Sequence, residues 1–116
     1  MVVRQCEVYW MSLEDPAGTG SPRPYVILQN NAFNSTGIGT VVVCSYTSNL
    51  QRARDFENVM VKKGEAGFPK DCVVNISQIH TVSVTSLDEK LGHFTPARFK
   101  DILRGVKLLI EPREPF

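Results

Sequence analysis

Arg23 stands between two prolines in Gly20-Ser21-Pro22-Arg23-Pro24-Tyr25-Val26-Ile27-Leu28-Gln29-Asn30, where a Gly- and Pro-rich stretch gives way to an apolar run. Pro22 and Pro24 hold the backbone on either side near φ of about −65°. Neither can donate to a sheet ladder, so a strand is expected to begin just after Pro24. A guanidinium fixed at the mouth of a strand can receive a phosphate or carboxylate, because its planar donors bind two oxygens at once. Most surface arginines are only solvated, so the chemistry needs a second group.

Spacing supplies one. Tyr25 to Leu28 is apolar without alternation, as suits a strand covered on both faces, and Thr40-Val41-Val42-Val43-Cys44-Ser45-Tyr46-Thr47 has the same character. Between them Asn34-Ser35-Thr36-Gly37 is a turn signal. If the two strands are antiparallel neighbours turning about Ser35, residues whose numbers sum to about 70 face each other, as Arg23 and Thr47 do. Opposed positions have Cβ atoms about 4.5–5.5 Å apart, so a guanidinium and a hydroxyl can converge on one small anion. The bland alternative, that both residues merely terminate adjacent strands, has the same spacing.

Other groups carry weaker signals. Ser48-Asn49-Leu50-Gln51-Arg52-Ala53-Arg54-Asp55 is a polar loop whose two cations either support polyanion binding or are simply solvated. Gln78 is polar among apolar neighbours, and its amide can read a base edge or satisfy local backbone. Cys6, Cys44 and Cys72 fit neither zinc spacing nor a disulfide framework and read as reduced, packed thiols. His80 and His93 are too isolated for a metal site.

The elements that must position these groups follow from pattern. Glu7 to Leu13 is rich in β-favouring residues and stops at Glu14-Asp15-Pro16; Glu14 through Pro22 is an expected exposed loop. Phe56 to Val61 is an expected strand in which Glu57 and Asn58 suggest exposure, and Lys63 to Pro69 is a turn. Asp71 to Asn75 and Gln78 to Val84 are strand segments separated by little more than a bend. Ser86-Leu87-Asp88-Glu89 has the form of a capping box for a helical turn ended near Gly92, while a short strand over 91–94 fits equally. Thr95 as N-cap and Pro96 at the first position open a helix. Its apolar face is Phe99, Ile102, Leu103, Val106, Leu109 and Ile110, its outer face is basic, and Pro112 ends it. Gly105 is costly in a helix, which marks a close contact.

A chain of 116 residues, 42% hydrophobic, is enough for one core, so a single domain over 1–116 is expected. The net charge of +1 provides no global field for nucleic acid. No apolar run reaches the ~20 residues of a membrane span, and no signal-peptide pattern is present, so the expected location is the cytoplasm, with no membrane partner. The pattern as a whole predicts a small, strongly curved antiparallel sheet, mainly β, closed by one C-terminal helix.

The order of these segments closely resembles the MazF/PemK family of toxin endoribonucleases. Val8-Tyr9-Trp10, the loop into Arg23-Pro24-Tyr25-Val26-Ile27-Leu28-Gln29-Asn30, and Val41 through Ser48 carry the likeness. It continues through Asp71-Cys72-Val73-Val74-Asn75, Gln78-Ile79-His80-Thr81 and the final helix. The resemblance implies an SH3-like small barrel of the MazF/CcdB type, a homodimer that cuts single-stranded RNA without a metal or other cofactor, and an antitoxin partner with an acidic, disordered C-terminal tail. It implies that Arg23 and Thr47 are the catalytic pair. Thr19, Gly20, Ser21 and Pro22 would form the loop over RNA or antitoxin, with Ser48, Asn49 and Gln78 as further RNA contacts.

Two features depart from the family pattern. Gly20-Ser21-Pro22 runs straight into Arg23, without the longer Gly-Ser-Glu-Gln-like segment and its carboxylate. Arg4-Gln5-Cys6-Glu7 replaces an Arg-Gly-acidic start. The competing readings are a noncatalytic CcdB-like gyrase poison and an SH3-like binding module. Glu111-Pro112-Arg113-Glu114-Pro115-Phe116 is unlike the Trp-Gly-Ile ending of CcdB, and the Arg23/Thr47 pair favours cleavage.

Overall fold

A computed structural model describes residues 2–12 and 20–113. The strands are β1 Glu7–Met11, β2 Arg23–Ile27, β3 Thr40–Thr47, β4 Val59–Val61, β5 Cys72–Ser83 and β6 Lys90–His93; the helices are a single turn, α1, Asn31–Asn34, and α2, Pro96–Ile110. All six strands form one antiparallel sheet in the order β4-β5-β3-β2-β1-β6.

The β2–β3 hairpin has the expected register. Val26 pairs with Cys44 and Ile27 with Val43, each pair summing to 70. The connection is more than the predicted turn. Asn30 caps α1 by accepting from the Phe33 N–H at 3.2 Å, and Asn34 donates back to the Gln29 carbonyl at 2.9 Å. Short polar side chains that compete for backbone groups thus close a helical turn where composition signalled only a bend. Gly37 then takes φ +72°, as a turn glycine should.

The strand start needs correction, because β2 begins at Arg23, with Pro24 inside it and opposite Trp10. Trp10 directs its N–H to the Glu89 carbonyl and its own carbonyl to the Asp88 N–H, away from β2. Its partner's nitrogen therefore also points away from β1, toward β3, where the paired ladder stops at Val26. A missing N–H costs nothing there. The first strand ends at Met11 rather than Leu13, which lies outside the described residues together with 14–19 of the expected loop.

Further along, β4 covers only Val59–Val61, and Phe56, expected in that strand, is 80% exposed. The two expected segments around Asn75 and Gln78 are one long strand, β5, with a register break inside it. Of the two readings after Ser83, the strand holds as β6. The helical turn there is a 3₁₀ turn, Val84–Ser86, capped by Ser83 rather than Ser86.

The sheet curls until its edges meet through the turn after β4. A side chain on Gly67, at φ +81°, would overlap the Leu91 carbonyl, and a Cβ on Gly92 would lie 2.8 Å from the Ala66 backbone. Backbone can approach backbone here only because both positions are glycine.

Alternation along the strands divides the interior in two. One face buries Tyr9, Met11, Tyr25, Ile27, Val41 and Val43 beneath Leu87. The other joins Val8, Val26, Cys44, Val74 and Ile76 to Phe68, Phe94 and the Phe99 and Ile102 side chains of α2. Each large apolar side chain so buried contributes roughly 1.5–3 kcal/mol.

Thr95 caps α2 as expected, its Oγ1 accepting from the Arg98 N–H at 3.1 Å. The helix differs from its pattern at two points. Leu109 and Ile110, on the apolar face, remain 46% and 67% exposed. Arg98, counted on the solvated outer face, is instead partly buried. It bonds Glu65 at 2.7 Å and Asp101 at 3.0 Å and donates to the Met60 carbonyl, fastening α2 to the β4 turn.

The thiols are free, with Cys44 and Cys72 buried. Cys6 is half-buried at φ +82°, in the left-handed region, directly before the acidic Glu7. A left-handed residue before the acidic one is what a glycine would supply in the Arg-Gly-acidic start that the sequence lacks.

Candidate active site

Arg23 opens β2 as an exposed residue opposite Met11, directly after the exposed Ser21 and Pro22. Gly20 precedes them, half-buried, and Thr19 lies outside the described residues. Among the described residues Arg23 has no ion-pair partner.

Thr47 ends β3 and is paired on its far side with Val73 of β5. Arg23 and Thr47 thus stand at the same end of neighbouring strands, beyond the Val26–Cys44 pair where the β2–β3 ladder stops. The Thr47 Oγ1 accepts from the Asn49 N–H at 3.2 Å. With a lone pair used in this way, the hydroxyl proton is directed elsewhere and is available to an acceptor.

Asn49 has structural work to do, because its Oδ1 accepts from the Gln51 N–H at 3.2 Å and caps the 3₁₀ turn Leu50–Arg54. Of that amide, only the Nδ2 is outside this capping bond. Ser48 is exposed beside it, and Arg52 pairs loosely with Asp55 at 3.5 Å. Exposed pairs of this kind contribute little, so Arg52 can exchange that partner for another anion.

Gln78 is exposed on β5, directly before Ile79, the residue that pairs with Cys44. Tyr46 and Ile79 pack against the α2-side core, so by alternation Thr47, Gln78 and His80 point to the opposite face. Arg23 points there too, two residues before the buried Tyr25. The structure therefore gathers Arg23, Thr47 and Gln78 on one face, with β3 running between the strands that carry the other two.

Tyr25, which sequence reasoning placed only in the apolar run, follows Arg23 by two residues on this face. The Tyr25 ring meets His80 edge-to-face, with centroids 6.2 Å apart and planes at 75°. Burial pushes the Tyr25 hydroxyl up, Arg23 pulls it partly back and Tyr46 raises it again, leaving a neutral phenol at physiological pH. The available signal was the spacing of Tyr25 from Arg23, since positions i and i+2 share a strand face.

An apolar groove lies elsewhere. It measures about 520 Å³ and is lined by Leu28, Phe33, Val42, Leu103 and Val106 among others, with no titratable side chain. It offers shape but no acid, base or phosphate receptor.

A curled antiparallel sheet closed by one C-terminal helix is the fold of the MazF toxins. A mycobacterial endoribonuclease in complex with its cognate antitoxin superposes with a TM-score of 0.78 at 25% identity, over 97% of this chain and 99% of that one. Mycobacterium tuberculosis toxin MazF-mt6 gives 0.75 at 16% identity, over 92% and 98%, a likeness of fold alone. The chain belongs to the family described as PemK-like, MazF-like toxin of type II toxin-antitoxin system, whose profile matches residues 4–110. Endoribonuclease MazF2 of Mycobacterium bovis is 28% identical over 113 residues, 96% of this chain and 99% of the relative. Endoribonuclease MazF of Staphylococcus saprophyticus is 28% identical over 109 residues, 92% and 90% of the two chains. Among the described residues no helix is long and apolar enough to cross a membrane.

Proposed function

We propose that this chain is the toxin of a type II toxin-antitoxin system and cleaves single-stranded RNA at short sequences, without a metal, through Arg23 and Thr47. The observation that carries the reading is that Arg23 opens β2 and Thr47 ends the neighbouring β3, the Thr47 hydroxyl oxygen accepting from the Asn49 N–H. The ribose 2′-OH attacks the adjacent phosphorus in line and loses its proton to solvent. The P–O5′ bond breaks, and the products are a 2′,3′-cyclic phosphate and a 5′-OH that takes up a proton.

RNA brings its own nucleophile, so the protein aligns groups and stabilises charge on the phosphorane-like transition state. Arg23 binds two nonbridging oxygens through its planar donors. Proton donation to the leaving oxygen is a secondary role for Arg23. Thr47 donates its free proton to a phosphate oxygen and holds the group in line. Nothing beside it activates it as a nucleophile.

Gly20, Ser21 and Pro22, with Thr19 ahead of them, form the covering loop, and Ser48, the Asn49 amide and Gln78 contact the RNA. The working form is a homodimer, whose antitoxin lays an acidic tail over the groove marked by Arg23, Arg52 and Arg54. The solved mycobacterial relative with its cognate antitoxin supports that partnership.

The test is incubation with a long unstructured RNA in EDTA, beside Arg23→Ala and Thr47→Ala variants, with mapping of the new ends. Cuts at fixed short motifs that bear cyclic phosphates and vanish in both variants are expected. A metal requirement, or full activity in Arg23→Ala, overturns the mechanism. Intact RNA with gyrase inhibition would replace it with the CcdB-like reading.

A further inference from the structure

The ladder between β3 and β5 breaks at one place. Cys44 pairs with Ile79 and Tyr46 with Val74, so Ser45 alone stands opposite Asn75, Ile76, Ser77 and Gln78. Such a detour keeps its shape only where its backbone groups find other partners. Asn58 provides the main one, its Oδ1 accepting from the Ile76 N–H at 2.9 Å.

The other end of the same amide faces a different segment. Asn58 Nδ2 donates to the Arg52 carbonyl at 3.1 Å, inside the 3₁₀ turn that follows Thr47, and lies 3.5 Å from Asn75 Oδ1. From β3, the Cys44 thiol donates to the Asn75 carbonyl at 3.1 Å. Ile76 is fully buried, which turns Ser77 and Gln78 out to solvent. Behind the junction, Gly105 lets α2 press on the Glu57 carbonyl and on Ile76. Half-buried Asn58 thus joins the segment leaving Thr47 to the bulge that presents Gln78, its amide accepting from one while donating to the other.

We infer that Asn58 is a positioning residue for RNA cleavage: it sets the distance between the phosphate-binding end of β3 and the base-contacting bulge, and through that distance the choice of cut sequence. The inference rests on the proposed nuclease activity. Asn58 itself touches neither phosphate nor base. Its amide acts by removing freedom between two elements that a bound RNA must span at once, so its loss weakens cutting most where both contacts are correct.

The experiment compares the full chain with Asn58→Ala and Asn58→Asp on a long unstructured RNA. It measures kcat/KM at the most-used site and at sites that differ from it by one base. Asp keeps the acceptor for Ile76 and loses the donor to Arg52, so it separates the two bonds and serves if the Ala variant does not fold. Both variants are expected to cut, with kcat/KM at the preferred site down by about tenfold to a hundredfold and mismatched sites much less affected. Hydrogen exchange should show the Ile76 amide unprotected in Asn58→Ala and protected in Asn58→Asp. An unchanged ratio between preferred and mismatched sites in both variants, with only a lower Tm, makes Asn58 a stabilising residue and overturns the inference. A parent protein that cuts no RNA overturns the nuclease reading and this inference with it, and that failure is visible without any variant.

Discussion

Gly105 of α2 and the Glu57 carbonyl lie so close that a Cβ on residue 105 would overlap the oxygen, and the same Cβ would be 3.0 Å from the Ile76 side chain. Helix propensity alone favours Gly105→Ala by about 1 kcal/mol. Overpacking costs about 1–3 kcal/mol, occasionally more, and a backbone oxygen cannot rotate away as a side chain could. Gly105→Ala is therefore expected to lower stability, read as a lower urea midpoint. A rise in the midpoint would mean that α2 shifts at little cost.

Glu7 links stability to pH. Burial alone would raise its carboxyl pKa, but hydrogen bonds from Lys90 at 2.7 Å, the Arg4 N–H at 2.7 Å and the Tyr9 hydroxyl at 3.0 Å hold it below the ordinary value of 4.5. A carboxyl depressed by folding stabilises the protein above its unfolded pKa and loses that contribution as pH falls through the folded one. Glu7→Gln should cost about 1.5–3 kcal/mol at pH 7. Denaturation curves of parent and variant should converge as pH drops below 4.5; a constant gap across that range would contradict the assignment.

Arg23→Lys keeps the charge and loses the paired donors. If two phosphate oxygens are bound together, kcat should fall by about 10²–10³, with a smaller change in KM. Single-turnover cleavage of a short RNA containing one site reads this directly. Near-parental kcat in the lysine variant would reduce the role of Arg23 to a point charge.

The thiols should differ in reactivity. Burial pushes Cys44 up to about 12, and burial together with Asp71 takes Cys72 to about 11, so neither forms thiolate near neutral pH. Cys6 is half-buried and also raised, by burial and by Glu7. Native protein treated with a thiol reagent at pH 7.5 should react slowly at Cys6 and elsewhere only on unfolding. Fast labelling of Cys44 would show that its bond to Asn75 opens readily.

Much of the candidate site was legible because it is local. A hairpin whose strands are joined by a short connection has its register set by chain length, which is why the pairing of Val26 with Cys44 could be reckoned from residue numbers. Thr95 and Pro96 announced α2 because caps act within one turn. The single turn α1 escaped notice because its Asn and Ser residues serve a bend and a cap equally well.

Sequence alone specifies the strand and helix periods, the capped start of α2 and the Val26–Cys44 register of the β2–β3 hairpin, all consequences of neighbours within a few residues or one hairpin. Tertiary structure alone decided that Gly67 and Gly92 let the sheet edges meet, that Arg98 is an anchor rather than a solvated cation, and that Asn58 holds the bulge. Each of these depends on a group 18 or more residues away in the chain, as Ile76 is from Asn58. Such partners leave no periodic trace, because what selects them is the closing of the fold.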